Sequence, residues 1–135
     1  MASESFVDNS LLCGVTHDLA EELFHFANHK PWKSGLFSKL LVKADDLRVL
    51  LIAMDVGATM KEHHVDGTIT IHVLQGRLCL RVQEKAQDLQ RGQILTLAPG
   101  IQHDIESRDD SAFLVTISWP TSDSLETLSH RGYGS

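Results

Sequence analysis

The chain has 135 residues, with 12 basic and 18 acidic side chains that give a formal net charge of −6. Its apolar fraction of 42% and charged fraction of 22% are those of an ordinary soluble globular protein, and its length fits a single domain. The acidic balance argues against a nucleic-acid-binding or anionic-membrane surface, because such surfaces need clustered lysine and arginine.

Neither a targeting segment nor a disulfide framework is apparent. The first ten residues, MASESFVDNS, show no basic stretch followed by an apolar core, and no apolar run approaches the roughly 20 residues that span a bilayer. Cys13 and Cys79 lie far apart and match no zinc spacing, which favours two reduced thiols. We therefore expect a cytoplasmic protein, with neither nucleic acid nor membrane among its partners.

The first predicted element is a helix in the segment THDLAEELFHFANHK. Its apolar residues recur at helical spacing and form one face: Leu19, Leu23, Phe26 and Ala27. Asp18 followed by Glu21 is typical of a capping pair at a helix start, and Pro31 stops the helix at its other end. We expect a helix over about residues 17–29, within an N-terminal segment of residues 1–35.

Beyond PWKSG the sequence changes to short β-rich runs. LFSKLLVK and LRVLLIAM, separated by the turn-forming ADD, predict a hairpin. Further strands are predicted at TITIHVL, RLCLRVQ, QILTL, HDIES and AFLVTISW. About seven or eight strands spaced roughly every 8–12 residues indicate a sandwich or barrel, here over residues 36–119, with residues 120–135 as a C-terminal tail.

Two spaced motifs lie within the strand region. In the first, Gly57 is followed by five residues and His63, and Gly76 closes the stretch; in the second, GQILTLAPGIQHDIES, Gly92 and Gly100 precede His103. These motifs resemble the two signatures of the cupin superfamily, of the single-domain conserved-barrel type. The second departs from the usual pattern, with Ala98 at the proline position, Pro99 one place later, and Ser107 at the asparagine position.

The resemblance implies an all-β fold, an antiparallel double-sheet jelly-roll barrel (a double-stranded β-helix) with a short N-terminal helix. Typical cupins hold one divalent transition metal with three histidines and a glutamate. Carried over by position, His63 matches the first ligand and His103 the last. Val65 stands at the second histidine and Ile69 at the glutamate, so the metal motif is degenerate. Two imidazoles alone make a weak site, and we expect no resident metal.

A rebuilt metal site is the alternative. His63 and His103 would then hold iron, manganese, nickel or zinc with one further ligand. His64 or Asp66 would need a β-bulge to turn inward, whereas His72 faces outward by simple alternation.

Three functions are compatible with this sequence. We favour a protein that binds a small molecule without the full cupin metal site. Its predicted pocket consists of His63, Val65, Ile69, Ile71, Val73 and His103. The second is a metal-dependent dioxygenase or isomerase of the cupin type, whose catalytic residues the sequence does not identify. The third is a non-catalytic structural or regulatory dimer with a filled barrel. The resemblance also implies a homodimer, since the apolar segment GLFSKLLVKADDLRVLLIAM is suited to joining a partner's sheet.

Overall fold

The computed structural model describes residues 7–8 and 14–120, except for the side chains of residues 7, 8, 62 and 63. The first residues and, apart from Pro120, the predicted C-terminal tail lie outside this description. The described part contains no helix with the length and apolar character needed to cross a bilayer.

The described fold consists of one α-helix, two short 3₁₀ turns and ten strands. The helix α1 is Leu19–Phe26, and the 3₁₀ turns are Ala27–His29 and Lys33–Gly35. The strands are β1 Val7–Asp8, β2 Leu36–Lys43, β3 Leu47–Met54, β4 Thr59–His63, β5 Thr68–Gln75, β6 Arg77–Val82, β7 Lys85–Gln90, β8 Ile94–Leu97, β9 His103–Ser107 and β10 Ser111–Ser118.

The strands form two facing sheets. The larger has the order β1-β2-β3-β10-β5-β8 and the smaller the order β4-β9-β6-β7. Every pairing is antiparallel except that of β1 with β2, at the edge of the larger sheet. The predicted jelly-roll barrel is therefore confirmed, and so is the predicted β2–β3 hairpin.

The helix α1 covers the outer face of the larger sheet. It begins at Asp18, whose Oδ1 accepts the main-chain N–H of Glu21 at 3.1 Å, as the capping pair predicts. The helix is shorter than the predicted span, because its last turn tightens into 3₁₀ geometry at residues 27–29. Its buried Phe26 packs against Leu51 and Ala53 of β3, on the side of the sheet that faces away from the barrel interior.

Two strands of the smaller sheet, β4 and β7, were not predicted. Their sequences, TMKEH and KAQDLQ, are mostly polar, and β7 buries only Leu89. Both are edge strands of that sheet, so one face and one edge of each are solvated, which removes the apolar alternation that marks a strand.

The barrel interior is packed solid at one end. Met54, Val73, Leu78 and Leu80 are fully buried there, and Leu89 joins them from β7. Close packing of this kind makes this end of the barrel rigid. The site described below occupies the other end.

Gly76 closes the first motif at a crowded turn between β5 and β6. Its φ of +81° favours glycine, and an added Cβ would overlap the Ser111 hydroxyl and the Asp110 carbonyl. The Ser111 hydroxyl accepts the Arg77 main-chain N–H at 3.0 Å and donates to the Asp109 carbonyl at 2.8 Å. Ser107, at the asparagine position of the second motif, also donates to the Asp109 carbonyl, at 2.5 Å. Both motifs therefore contribute residues to the architecture of this end of the barrel.

Candidate functional site

A cavity of about 210 Å³ lies in the end of the barrel that side chains do not fill. It is lined by Leu36, Ser38, Leu50, Ile52, Met60, Val65, Ile69, Ile71, His103, Ile105, Phe113, Val115 and Ile117. The cavity therefore belongs to the barrel interior and takes its walls from both sheets.

The walls follow from strand alternation. On β10, Phe113, Val115 and Ile117 point inward at every second position, and Ile69 and Ile71 do so on the neighbouring β5. Hydrocarbon from the centre of the larger sheet thus forms one continuous wall.

The lining of the cavity is buried along the central strands of the larger sheet and more accessible along the edge strand β2 and the β4–β5 loop. Ile52, Ile71 and Phe113 are almost fully buried. The lining residues of β2 and of the β4–β5 loop are more accessible, with Leu36 and Val65 half-buried and Ser38 exposed. A ligand therefore has access beside β2 and that loop.

His103 is the buried polar side chain of the described wall. It begins β9 and is 4% exposed. Its Nδ1 lies 3.1 Å from the carbonyl oxygen of Ile101. A carbonyl oxygen only accepts hydrogen bonds, so Nδ1 is the donor in this bond. This hydrogen bond fixes the orientation of the imidazole.

His63 is placed opposite His103 by the backbone. The pairing of β4 with β9 shifts register between Met60 and His63, a β-bulge that sets His63 directly across from His103. Opposed Cα atoms of an antiparallel pair lie roughly 4.5–5.5 Å apart. The backbones of the two motif histidines thus lie opposite each other in the smaller sheet.

The profile of the AraC-like ligand-binding domain matches residues 48–128, which is more than half of the chain. The chain belongs to this family. The match begins in β3 and includes both motifs, and the cupin resemblance of the sequence is confirmed with it. None of the curated protein sequences matches this AraC-like domain significantly.

Solved structures share the fold of this AraC-like domain. A conserved protein of unknown function from Streptococcus pyogenes has a TM-score of 0.68 at 19% identity, with 87% of this chain and 97% of that protein covered. A cupin superfamily protein from Desulfitobacterium hafniense has a TM-score of 0.63 at 17% identity, with 68% of this chain and 84% of that protein covered. The cupin domain of an XRE family transcriptional regulator from Enterobacter cloacae has a TM-score of 0.57 at 19% identity, with 64% of this chain and 99% of that domain covered. At such identities the likeness shows the fold.

The donor set of this AraC-like domain does not fit a cupin metal centre. Val65 and Ile69, at the second and third ligand positions, both line the cavity, and Ile69 is 3% exposed. Neither side chain has an atom that binds a metal. Among the described residues, no three His, Cys, Asp or Glu side chains are grouped to hold a metal ion.

The three alternative ligands lie away from the cavity. His64 and Asp66 are exposed, because the bulge falls before them and turns Val65 inward instead. His72 is half-buried on the outer face of β5, opposite Leu114 of β10. A site rebuilt from these residues therefore finds no support in their placement.

One predicted pocket residue and several cavity residues differ from the expectation. Val73 is fully buried in the packed end and does not line the cavity. The sequence prediction did not include nine of the lining residues: Leu36, Ser38, Leu50, Ile52, Met60, Ile105, Phe113, Val115 and Ile117. Three of them, Phe113, Val115 and Ile117, could have been identified from the apolar alternation in AFLVTISW, once β10 is placed at the centre of a sheet.

The described ionisable groups with shifted pKa values lie outside the cavity. The pKa of Lys30 is raised, chiefly because its ammonium donates a 2.8 Å hydrogen bond to Asp55. The pKa of the Arg108 guanidinium is also raised, chiefly by its hydrogen bond to the Cys79 thiol. The chemistry of the described cavity wall is therefore that of hydrocarbon, one imidazole and the hydroxyl group of Ser38.

Proposed function

We propose that this AraC-like domain binds a small molecule reversibly in its barrel cavity. The observation that carries the proposal is the cavity of about 210 Å³ beside the buried, oriented imidazole of His103. An apolar pocket with few polar groups is the usual form of a small-molecule site. In this proposal Val65, Ile69 and Ile71 contact the ligand, His103 is its polar contact, and His63 adds a second one.

The comparisons support binding over catalysis. The family is described as a ligand-binding domain, and one structural neighbour is the cupin domain of a transcriptional regulator from Enterobacter cloacae. On this likeness we propose a sensing role. In that role, occupancy of the cavity is the signal.

Native mass spectrometry of the purified protein tests the proposal. We expect a bound small molecule in the wild type that is absent from Val65→Trp, whose indole fills the half-buried opening. Val56→Trp is the matched control, because Val56 is 63% exposed on the turn after β3. The proposal fails if both variants retain the same bound molecule. It also fails if the wild type carries none and no compound of a metabolite library raises its melting temperature.

We also propose that the barrel works without a resident metal, since Val65 and Ile69 occupy two of the four ligand positions. Elemental analysis of protein purified without chelator should give well under one equivalent of iron, manganese, nickel and zinc per chain. A stoichiometric metal that disappears in His63→Ala would instead favour the metal-dependent enzyme.

A homodimer through β2 is a further part of the proposal. Within the described residues, β1 pairs with β2 only at Val42 and Lys43, which leaves the outer edge of residues 36–41 without a strand. Light scattering should give the mass of two chains for the wild type and one chain for Leu40→Lys. Phe24→Lys, on an exposed site of α1, should remain dimeric. A wild type that stays monomeric at micromolar concentration contradicts this interface.

A cytoplasmic location is also proposed. Cys79 is a buried free thiol, and unpaired thiols are usual in the reducing cytosol. Detection of the protein in a cell fraction outside the cytoplasm would contradict it.

A further inference from the structure

The lining of the cavity identifies the chemistry of its ligand. We propose that the ligand is an uncharged, predominantly apolar molecule about the size of one ring with a short substituent. This inference rests on the proposed function, because it describes the occupant of the same cavity.

The charge of the ligand follows from the absence of charged side chains in the described wall. Eleven of the thirteen lining residues are apolar, and the other two are Ser38 and His103. A buried carboxylate or ammonium is stable only when a partner charge and further hydrogen bonds replace its water. The described wall supplies no Asp, Glu, Lys or Arg, and His103 could pair with a carboxylate only after taking up a proton, so a charged molecule loses most of its hydration without compensation.

A polyhydroxylated ligand is disfavoured for a similar reason. Each of its hydroxyl groups would need a hydrogen-bond partner inside the cavity. The described side chains offer two polar groups, and one of them, Ser38, lies exposed at the opening. A sugar-like molecule would therefore leave most of its hydroxyls against hydrocarbon.

The volume of the cavity limits the size of the ligand. An engineered apolar cavity of roughly 150 Å³ lined by leucine, isoleucine and phenylalanine stays dry and binds benzene. The cavity of this protein has a similar lining and a volume of about 210 Å³. It therefore accommodates one ring with a short substituent.

The buried and accessible sides of the cavity suggest how such a molecule is oriented. Ile52, Ile71 and Phe113 form the buried side, which receives the ring. His103 begins β9 and Ser38 lies on the edge strand β2, so a single hydroxyl or amide group of the substituent is best placed toward one of them. A ligand with a single polar group therefore fits this arrangement.

Three probes that share one skeleton test the ligand class: benzyl alcohol, benzoate and benzylamine. Methyl NMR of the intact protein gives both the affinity and the location of each. We expect benzyl alcohol to shift the methyl signals of Ile71 and Val115 but not of Leu89, which lies in the packed end. Its dissociation constant should be at least about 10-fold lower than those of benzoate and benzylamine.

Variants separate cavity binding from binding elsewhere. Val65→Trp should abolish these shifts and Val56→Trp should preserve them. Leu50→Trp provides an independent block at another half-buried lining position if Val65→Trp does not fold.

The possible failures are distinguishable. If benzoate, benzylamine or glucose shifts the same cavity methyls as strongly as benzyl alcohol, the ligand class is overturned and the binding function stands. If no neutral probe reaches the cavity at millimolar concentration, the ligand class is again overturned. The proposed binding function is overturned as well only if native mass spectrometry and the metabolite library also find no ligand.

Discussion

The main-chain N–H of Gly100 donates a 2.8 Å hydrogen bond to the carbonyl oxygen of Val65. This bond joins the loop after β4 to the loop before β9, so each loop comes from one of the two sequence motifs. It holds Val65 at the opening of the cavity, where a metal-binding cupin has a histidine. The hydrogen bond thus fixes the backbone at one of the motif's metal-ligand positions, while the side chains at positions 65 and 69 are hydrocarbon.

Restoring both lost ligands should therefore create a metal site. The double variant Val65→His/Ile69→Glu provides three imidazoles and a carboxylate with His63 and His103, and we expect close to one equivalent of nickel or zinc by titration calorimetry. Without metal, the carboxylate introduced at position 69 is a buried charge, so the apo variant should be less stable by several kcal/mol, about what an unpaired buried charge costs.

The control for this prediction is Val65→His/Ile69→Gln, which lacks the negative charge and should bind metal much more weakly. Equal metal binding by the wild type and the double variant would show that Val65 and Ile69 do not determine the loss of the site.

Adding a methylene should have opposite effects at the two ends of the barrel. Val115→Ile extends into the cavity and should stabilise the protein by up to about 0.8 kcal/mol, the value of one buried methylene. Val73→Ile overfills the packed end and should destabilise the protein by about 1–3 kcal/mol. Urea denaturation measures both. Equal destabilisation by the two substitutions would indicate that the barrel is packed throughout.

Two motif glycines should differ in their tolerance of alanine. Gly76 and Gly92 both have positive φ, but only at Gly76 would an added Cβ overlap other atoms. Gly92→Ala should cost about 1–2 kcal/mol, the conformational penalty alone. Gly76→Ala should cost more than about 3 kcal/mol, since steric overlap is added. Thermal or urea unfolding compares them, and similar losses would contradict the close approach of Ser111.

Replacing His103 by phenylalanine should reduce the binding of hydrogen-bonding ligands selectively. His103→Phe keeps an aromatic ring but removes the polar contact. The affinity for benzyl alcohol should fall about 5-fold, the usual net value of one hydrogen bond. The affinity for toluene, which lacks the hydroxyl, should change less than about 2-fold. Methyl NMR titrations measure both, and parallel losses would mean that His103 only shapes the wall.

Much of the fold was predictable because its signals are local. The glycine–histidine spacing located the barrel, and β-rich runs between turn signals located β2, β3, β5, β6, β8, β9 and β10. Strands β4 and β7 were missed because edge strands carry polar residues on their solvated sides. The end of the helix was misplaced because its last turn keeps the apolar spacing of an α-helix while adopting 3₁₀ geometry.

The residues of the site were predictable only within the two sequence motifs. Val65, Ile69, Ile71 and His103 follow from motif position and alternation. The walls from β2, β3 and β10 depend on which strands become neighbours across the barrel, and that is set by long-range pairing. Val73 shows the same limit, because alternation correctly points it inward but does not say where the packed end begins.

The most direct test of an apolar, metal-free cavity is a crystal structure of the protein under xenon pressure, because xenon enters dry apolar cavities. We predict a xenon atom in contact with Ile71, Phe113 and Val115, with no ion between His63 and His103. Ordered water filling that space, or a metal ion bound to both imidazoles, would contradict this account.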